Sequence, residues 1–377
     1  MAARPTLVPI TVLTGFLGSG KTTTLNHLLR QDGLRGTIAI VNEFGEVGID
    51  HLLIETTEER FALLDNGCVC CTVRGDLVDT LKAIAARRDA GDLPDFDRVL
   101  LETTGLADPA PVLHTLMVDP AIGARYRIDG VVVTVDAVNG AATLATYPEA
   151  VKQVGVADRL LITKTDLVDE TRLRTLRARL TAVNPTADLI AIRDGKVAAA
   201  AVLDIGLFDP AARSADVVAW FERAAAASAG AHHHDHCAGD ACDHPAHDHA
   251  AHGPDDHGVH SFSLLIDGPV EWEPFARWLD YVASLRGEDL LRFKGIVNVA
   301  GKSEPVVVHG VQHVFHPPKD LAGWPTPEHH TRLVFIVRDI EPSLIERTLG
   351  KFASIDANRI RRPPREGAVH HDHLTTA

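Results

Sequence analysis

The sequence predicts an α/β protein: a mostly parallel sheet with helices on both faces, a His-rich flexible linker and a smaller α+β domain. Three observations predict it. Up to about residue 205, short apolar strand segments alternate with helical stretches, the signature of parallel βαβ units. Gly15-Phe16-Leu17-Gly18-Ser19-Gly20-Lys21-Thr22 fits G-x-x-x-x-G-K-[ST], the phosphate-binding loop. From Ala224 the composition shifts abruptly toward Ala, His and Asp, and a second patterned region begins near residue 259. The expected division is residues 1–223 for the nucleotide domain, 224–258 for the linker, 259–357 for the second domain and 358–377 for a tail.

Composition narrows the class. The chain has 377 residues, 45% of them hydrophobic, which is enough for real cores. A formal charge of −14 offers no basic face, which argues against nucleic acid as a partner. Five cysteines is an odd count, and three of them fall within four positions, which is not a disulfide framework. No stretch approaches the roughly 18 apolar residues of a membrane span, and Met1 to Pro9 has no apolar run of a leader. The expectation is a cytoplasmic protein in a reducing compartment.

The first strand is Val8 to Leu13 and the helix after the loop is Thr23 to Leu29. Strand, glycine loop, helix is the context the motif requires. Gly15, Gly18 and Gly20 let the backbone turn tightly and aim N–H groups at phosphate oxygens, with Ser19 and Thr23 beside them. The helix start adds its positive end. Lys21 is a point charge for the β- and γ-phosphates, and the Thr22 hydroxyl suits Mg²⁺.

Further strands are expected at Thr37–Asn42, Arg98–Glu102, Gly130–Val135, Arg159–Thr163 and Asp188–Ile192, with helices at Leu77–Arg88, Pro111–Val118 and Glu170–Val183. Ligands of such sheets bind beyond the carboxyl ends of the strands, where most of the remaining motifs lie. After the second strand, Asn42 to Asp50 carries two glycines and three carboxylates, Glu46 among them. It reads as a mobile loop near Mg²⁺, or as a solvated acidic loop. Asp65-Asn66-Gly67-Cys68-Val69-Cys70-Cys71 then places three soft ligands in reach of one ion. Thiolates favour Zn²⁺, Cu(I) and similar metals. No C-x-x-C partner or nearby His completes a closed structural site, and an incomplete site is what a carrier needs. Buried structural cysteines and a redox role are the rival readings.

The apolar strand Arg98 to Leu101 ends in Glu102, with Gly105 three residues on. In phosphate-loop NTPases an acid here lies near Mg²⁺ and such a glycine can sense the γ-phosphate. His114 in the next helix reads as structural. Thr163-Lys164-Thr165-Asp166 has the form of the guanine-reading N-K-x-D motif, with Thr replacing Asn. The Asp166 carboxylate can accept from both N–H groups on the guanine edge, a pair adenine does not offer, and Lys164 can lie along the base.

Four stretches resemble the CobW-type GTPases, relatives of the HypB and UreG nickel-insertion GTPases: G-F-L-G-S-G-K-T-T, N-E-F-G-E-V-G-I-D, N-G-C-V-C-C-T-V-R-G-D-L and L-E-T-T-G-L-A-D-P. The resemblance implies GTP hydrolysis coupled to metal delivery. It assigns Lys21 and Thr22 to phosphate and Mg²⁺, Glu102 to the Mg²⁺ region, and Cys68, Cys70 and Cys71 to the transported metal.

The span from Ala231 to His260, which takes in most of the linker, holds ten of the chain's 21 histidines plus Cys237 and Cys242. It cannot build a core and should stay unfolded without metal, and His-rich tracts bind Zn²⁺, Co²⁺, Ni²⁺ or Cu²⁺. His370-His371-Asp372-His373 repeats the pattern on a small scale. In the second domain strands are expected at Ser261–Ile266, Leu290–Val299, Pro305–Phe315 and Thr331–Val337, with helices at Trp272–Leu285 and from Pro342 to Leu349. L-L-R-F-K-G-I-V-N-V-A-G followed by V-V-H-G-V-Q-H-V-F resembles the C-terminal domain of the CobW type. Lys294, His309, His313 and His316 invite a binding role, although ordinary surface histidines are the simpler reading.

Together these features predict a GTP-switched metallochaperone that takes GTP and Mg²⁺ and hands Zn²⁺, or else Co²⁺, to a client metalloprotein. A homodimer is left open. The rivals are a metal-sensing GTPase, a passive His-rich metal buffer and a small-molecule kinase, the last opposed by C-x-C-C and T-K-T-D.

Overall fold

The computed structural model describes residues 7–41, 61–63, 73–205, 257–321, 323–324 and 326–362. The Asn42–Asp50 loop with Glu46, the C-x-C-C stretch with Cys68, Cys70 and Cys71, nearly all of the His-rich linker and the terminal His cluster lie outside the described residues.

The first sheet contains β1 (Val8–Gly15), β2 (Thr37–Val41), β3 (Phe61–Leu63), β4 (Arg98–Glu102), β5 (Tyr126–Asp136), β6 (Arg159–Thr163) and β7 (Asp188–Ala191). Their order is β3-β2-β4-β1-β5-β6-β7, and every neighbouring pair is parallel. The helices are α1 (Lys21–Leu29), α2 (Val73–Ala90), α3 (Ala110–Val118), α4 (Pro120–Gly123), α5 (Gly140–Thr146), α6 (Pro148–Val156) and α7 (Glu170–Val183). Both faces are covered because the strands are apolar on both sides. Val99 and Leu101 of β4 enter one core, while Leu100 between them joins Leu25 and Leu28 of α1 in the other.

The sequence pattern does not announce β3, α4, α5 or α6. The stretch that becomes α5 and α6 is interrupted by Pro148, which reads as a breaker. In the structure Pro148 opens α6, where its missing N–H costs nothing.

The second sheet contains β8 (Val259–Ile266), β9 (Arg292–Val297), β10 (Val306–Val311), β11 (Val314–Phe315), β12 (Lys319–Asp320), β13 (Thr331–Arg338) and β14 (Ile360–Arg361), with helices α8 (Trp272–Arg286) and α9 (Pro342–Phe352). Its order is β11-β10-β9-β13-β8-β14, and β12 pairs with β10. Strand, helix, strand occurs twice and the two units interleave, which places β8 between β13 and β14. The core is aromatic: Phe262, Phe275, Trp278, Phe293 and Phe335 are all buried. The expected single strand Pro305–Phe315 is a hairpin, because Gln312 takes φ 52° and folds β11 back on β10. β14 pairs with β8 beyond residue 357, where the sequence placed the start of a tail.

The two domains share a core. Val259, Leu291, Val311 and Ile336 of the second domain pack in one cluster with Val151, Val154 and Val156 of α6. Beside this apolar contact lies a buried ion cluster. Asp158 pairs with Arg292, and Lys294 Nζ donates to Asp158 Oδ1 at 2.8 Å. Arg292 also donates to the carbonyl of Val156. Burial pushes the Asp158 carboxyl up, but the charges of Arg292 and Lys294 outweigh it and hold the group at about 2.

Candidate functional site

Gly15, Glu102, Asp136 and Thr163 are the last residues of β1, β4, β5 and β6. Four neighbouring strands therefore deliver their final residues to one edge of the sheet. The phosphate loop is built there by three left-handed glycines, with φ +141° at Gly15, +70° at Gly18 and +95° at Gly20. A Cβ on Gly15 would come within 2.4 Å of the Thr134 carbonyl oxygen, so only glycine passes. Gly20 is the residue from which α1 departs.

The side chains close the loop from below. Ser19 is buried, and its Oγ lies 2.7 Å from Thr134 Oγ1. Lys21 is buried at the start of α1, and its Nζ donates to the carbonyls of Gly15 at 3.0 Å and Phe16 at 3.2 Å. That holds the ammonium inside the loop. Thr22 Oγ1 donates to Glu102 Oε1 at 2.9 Å. Thr23 is exposed on the first turn of α1. Gly105 packs directly on the loop, where a Cβ would lie 2.7 Å from Leu17 N.

The T-K-T-D segment is attached to the same loop. Thr163 Oγ1 donates to the Ser19 carbonyl at 2.7 Å, so the Thr that departs from N-K-x-D ties the two motifs together. Lys164 takes φ 55° and its Nζ donates to Asp136 Oδ2 at 2.8 Å. Asp166 is exposed in the 3₁₀ turn Thr165–Leu167. The sequence reading missed Asp136. Burial pushes its carboxyl up, but hydrogen bonds from Lys164, Val138 and Asn139 bring it below the ordinary value. A strand ending in an acid, V-V-T-V-D, is the signal that could have found it. A cavity of about 110 Å³ adjoins the loop, lined by Phe16, Ser19, Asp136, Gln153 and Lys164 among others.

Of the histidines singled out in the sequence, His313 is exposed as an ordinary surface residue would be, while His114, His309 and His316 are partly buried. His114 of α3 packs against His313 of the second domain, with ring centroids 5.0 Å apart and the rings tilted by 46°. Burial, with the cations of Lys294 and Arg292 nearby, holds His309 well below its ordinary value. His316 is pushed down to about 3 by burial and by Arg292 and Lys319. Lys294 is committed to Asp158. Among the described residues, no three His, Cys, Asp or Glu side chains gather as a metal site.

A glycine loop closed by a buried Lys, with a Thr–Glu pair beside it and a base-type loop bonded to it, defines a phosphate-loop NTPase. Here that domain carries an antiparallel α+β partner. The chain belongs to the CobW/HypB/UreG family: residues 9–191 match the model of its nucleotide-binding domain, and residues 259–353 match the cobalamin synthesis protein CobW C-terminal domain. It is 31% identical over 332 residues to the zinc chaperone YjiA of Escherichia coli, covering 87% of this chain and 93% of that one. It is 32% identical over 197 residues to the zinc-regulated GTPase metalloprotein activator 1 of Schizosaccharomyces pombe, covering 50% of this chain and 47% of that one. The crystal structure of Zn(II)-bound YjiA GTPase superposes with TM-score 0.66 at 25% identity, covering 92% of this chain and 99% of that one. Among the described residues no helix is long and apolar enough to cross a membrane.

The oxygen donors present fit Mg²⁺. Thr22 contributes a hydroxyl and Glu102, 4% exposed, a carboxylate, and both are hard ligands of the kind Mg²⁺ takes beside substrate phosphates.

Proposed function

We propose that the chain is a GTP-hydrolysing metallochaperone that carries Zn²⁺ at Cys68, Cys70 and Cys71 and transfers it to a client metalloprotein. The observation that carries the nucleotide half is the convergence of Lys21, the Thr22–Glu102 pair and the Thr163–Lys164 loop on one set of strand ends. Lys21 supplies positive charge to the phosphates. Thr22 and Glu102 would hold Mg²⁺, which neutralises the phosphate oxygens when bound. Asp166 would read the guanine edge. The metal half is supported by the C-x-C-C stretch in the sequence and by relatives named zinc chaperones. Glu46, in the acidic stretch that follows β2, would add a carboxylate near Mg²⁺. Zn²⁺ is the preferred cargo, with Co²⁺ the alternative, and the His-rich linker gathers metal before the cysteines hold it.

Hydrolysis is useful to a carrier only if it changes metal affinity. Emptying a nearly full site requires a roughly 10⁴-fold change, about 5.5 kcal/mol. Loss of one thiolate or carboxylate ligand is of that order. By linkage, metal must change the preference for GTP over GDP by the same factor. The test is Zn²⁺ and Co²⁺ affinity by chelator competition in the GDP form and with a non-hydrolysable GTP analogue. It is repeated with Cys68, Cys70 and Cys71 changed to Ala. A nucleotide-dependent difference that disappears with the cysteines supports the reading. Equal affinity in both nucleotide states sinks it.

A further inference from the structure

Gln153 occupies the middle of α6 and is buried to 1% exposure. Its Nε2 donates to the carbonyls of Gly105 at 3.2 Å and Ala107 at 3.0 Å. The neighbouring Lys152 reaches the same segment, donating to Asp108 Oδ2 at 3.3 Å. Two successive side chains of α6 therefore hold the stretch that follows Glu102 and presses on the phosphate loop at Leu17. The Oε1 of Gln153 has no hydrogen-bond partner among the described residues. A polar amide at this buried position is there to hold the Gly105–Ala107 carbonyls. A residue kept only for packing would more simply be Leu or Met.

The other end of α6 belongs to the second domain. Arg292 of β9 donates to the Val156 carbonyl, and Asp158, two residues on, takes Arg292 and Lys294. Gly155 lies against Leu291, where a Cβ would come within 3.0 Å of the Leu side chain. Asn184 Nδ2 donates to the carbonyls of Val154 and Ala157 at 2.8 and 2.9 Å, which fixes the end of the helix. One nine-residue helix is thus bonded at its centre to the segment expected to sense the γ-phosphate and at its end to the second domain's sheet.

We propose that Gln153 is a positioning residue that couples the Gly105–Ala107 segment to the second domain through α6, so that β9 responds to which nucleotide is bound. A shift of Gly105 toward a γ-phosphate pulls on two hydrogen bonds to a single amide. α6 transmits the pull as a rigid element to Val156 and Asp158. This rests on the GTP-switch reading above and adds the route by which the switch reaches the second domain.

The test uses the full chain and Gln153→Met, which keeps the volume and removes both donors. Amide hydrogen exchange is followed at β9 and α6 with GDP and with a non-hydrolysable GTP analogue, together with steady-state GTP hydrolysis. The parent should show nucleotide-dependent protection at Arg292–Val297. In Gln153→Met that difference should vanish. Its kcat should fall about tenfold or more, the order expected for two lost hydrogen bonds, while KM stays within about threefold. Arg292→Lys provides the second arm: it keeps a charge for Asp158 but loses the fork that also reaches Val156. It should lose the exchange difference with nucleotide affinity intact, so a poorly folded Gln153→Met would not leave the question open. Unchanged β9 coupling in both variants, or a parent that binds GTP with no response at β9, overturns the inference and leaves the GTPase reading standing. A parent that fails to bind GTP overturns both.

Discussion

Thr22 Oγ1 donates to Glu102 Oε1 across 2.9 Å, joining the end of the phosphate loop to the end of β4. The residues are 80 positions apart in sequence, and parallel pairing of β1 with β4 brings them together. Glu102→Gln keeps the shape and removes the charge, and Thr22→Ala removes the hydroxyl. Each should lower Mg²⁺-dependent GTP turnover by at least the roughly 10- to 100-fold that disturbing even a metal's outer-shell partners costs. Phosphate release measured against Mg²⁺ concentration checks this. An unchanged Mg²⁺ dependence in both variants would remove the pair from the nucleotide site.

The glycines of the loop should not be equivalent. Gly15→Ala meets two penalties, a φ of +141° and a Cβ 2.4 Å from the Thr134 carbonyl and hydroxyl oxygens. Gly18→Ala meets one, a φ of +70°, with nothing within 4 Å of the new methyl. The left-handed penalty alone is about 1–2 kcal/mol. Nucleotide affinity should therefore fall well over tenfold in Gly15→Ala and about tenfold or less in Gly18→Ala. Equilibrium binding of a fluorescent GDP ranks them, and the reverse order would contradict the packing.

The sequence carried the phosphate loop, Glu102 and T-K-T-D because each is local: a run of residues at the end of one strand. Six strands of the first sheet were legible for the same reason, since buried parallel strands are short apolar runs. What was not legible depends on distance in the chain. Nothing in D-R-L-L-I-T announces that Asp158 will meet Arg292 and Lys294, 134 and 136 residues later. Gln153 looks like an ordinary polar residue in a helix until Gly105 and Ala107 are seen against it. His309 and His316 read as surface residues because nothing local to V-V-H-G-V-Q-H-V-F announces that the Arg292 cation lies beside both rings.

Asp158 tests the domain interface. In Asp158→Asn the charges of Arg292 and Lys294 lose their buried counter-ion, at a cost of about 3–5 kcal/mol. Urea denaturation at neutral pH should show that loss as a lower midpoint. The acid limb should change as well. The folded Asp158 carboxyl sits at about 2 against an ordinary 3.8, so its contribution is complete above the ordinary value and disappears as pH falls from about 4 toward 2. The variant should lack this part of the acid slope. An equal slope in both proteins would mean that the ion cluster is not maintained in solution.

His309 and His316 set the sign in a milder range. Both are held neutral in the fold, His316 down to about 3 and His309 well below the ordinary 6.5. Unfolding restores the ordinary value, so below about 6.5 the unfolded chain binds the extra protons. Stability contributed by these rings is full above 6.5 and is lost progressively as pH falls toward the folded values. Between pH 7.5 and 5.5 the loss is roughly 1–1.5 kcal/mol for each imidazole that unfolding exposes. Urea midpoints at those two pH values, taken with a chelator so that the His-rich linker carries no metal, give the slope. Changing His309 to Gln and His316 to Asn should flatten it.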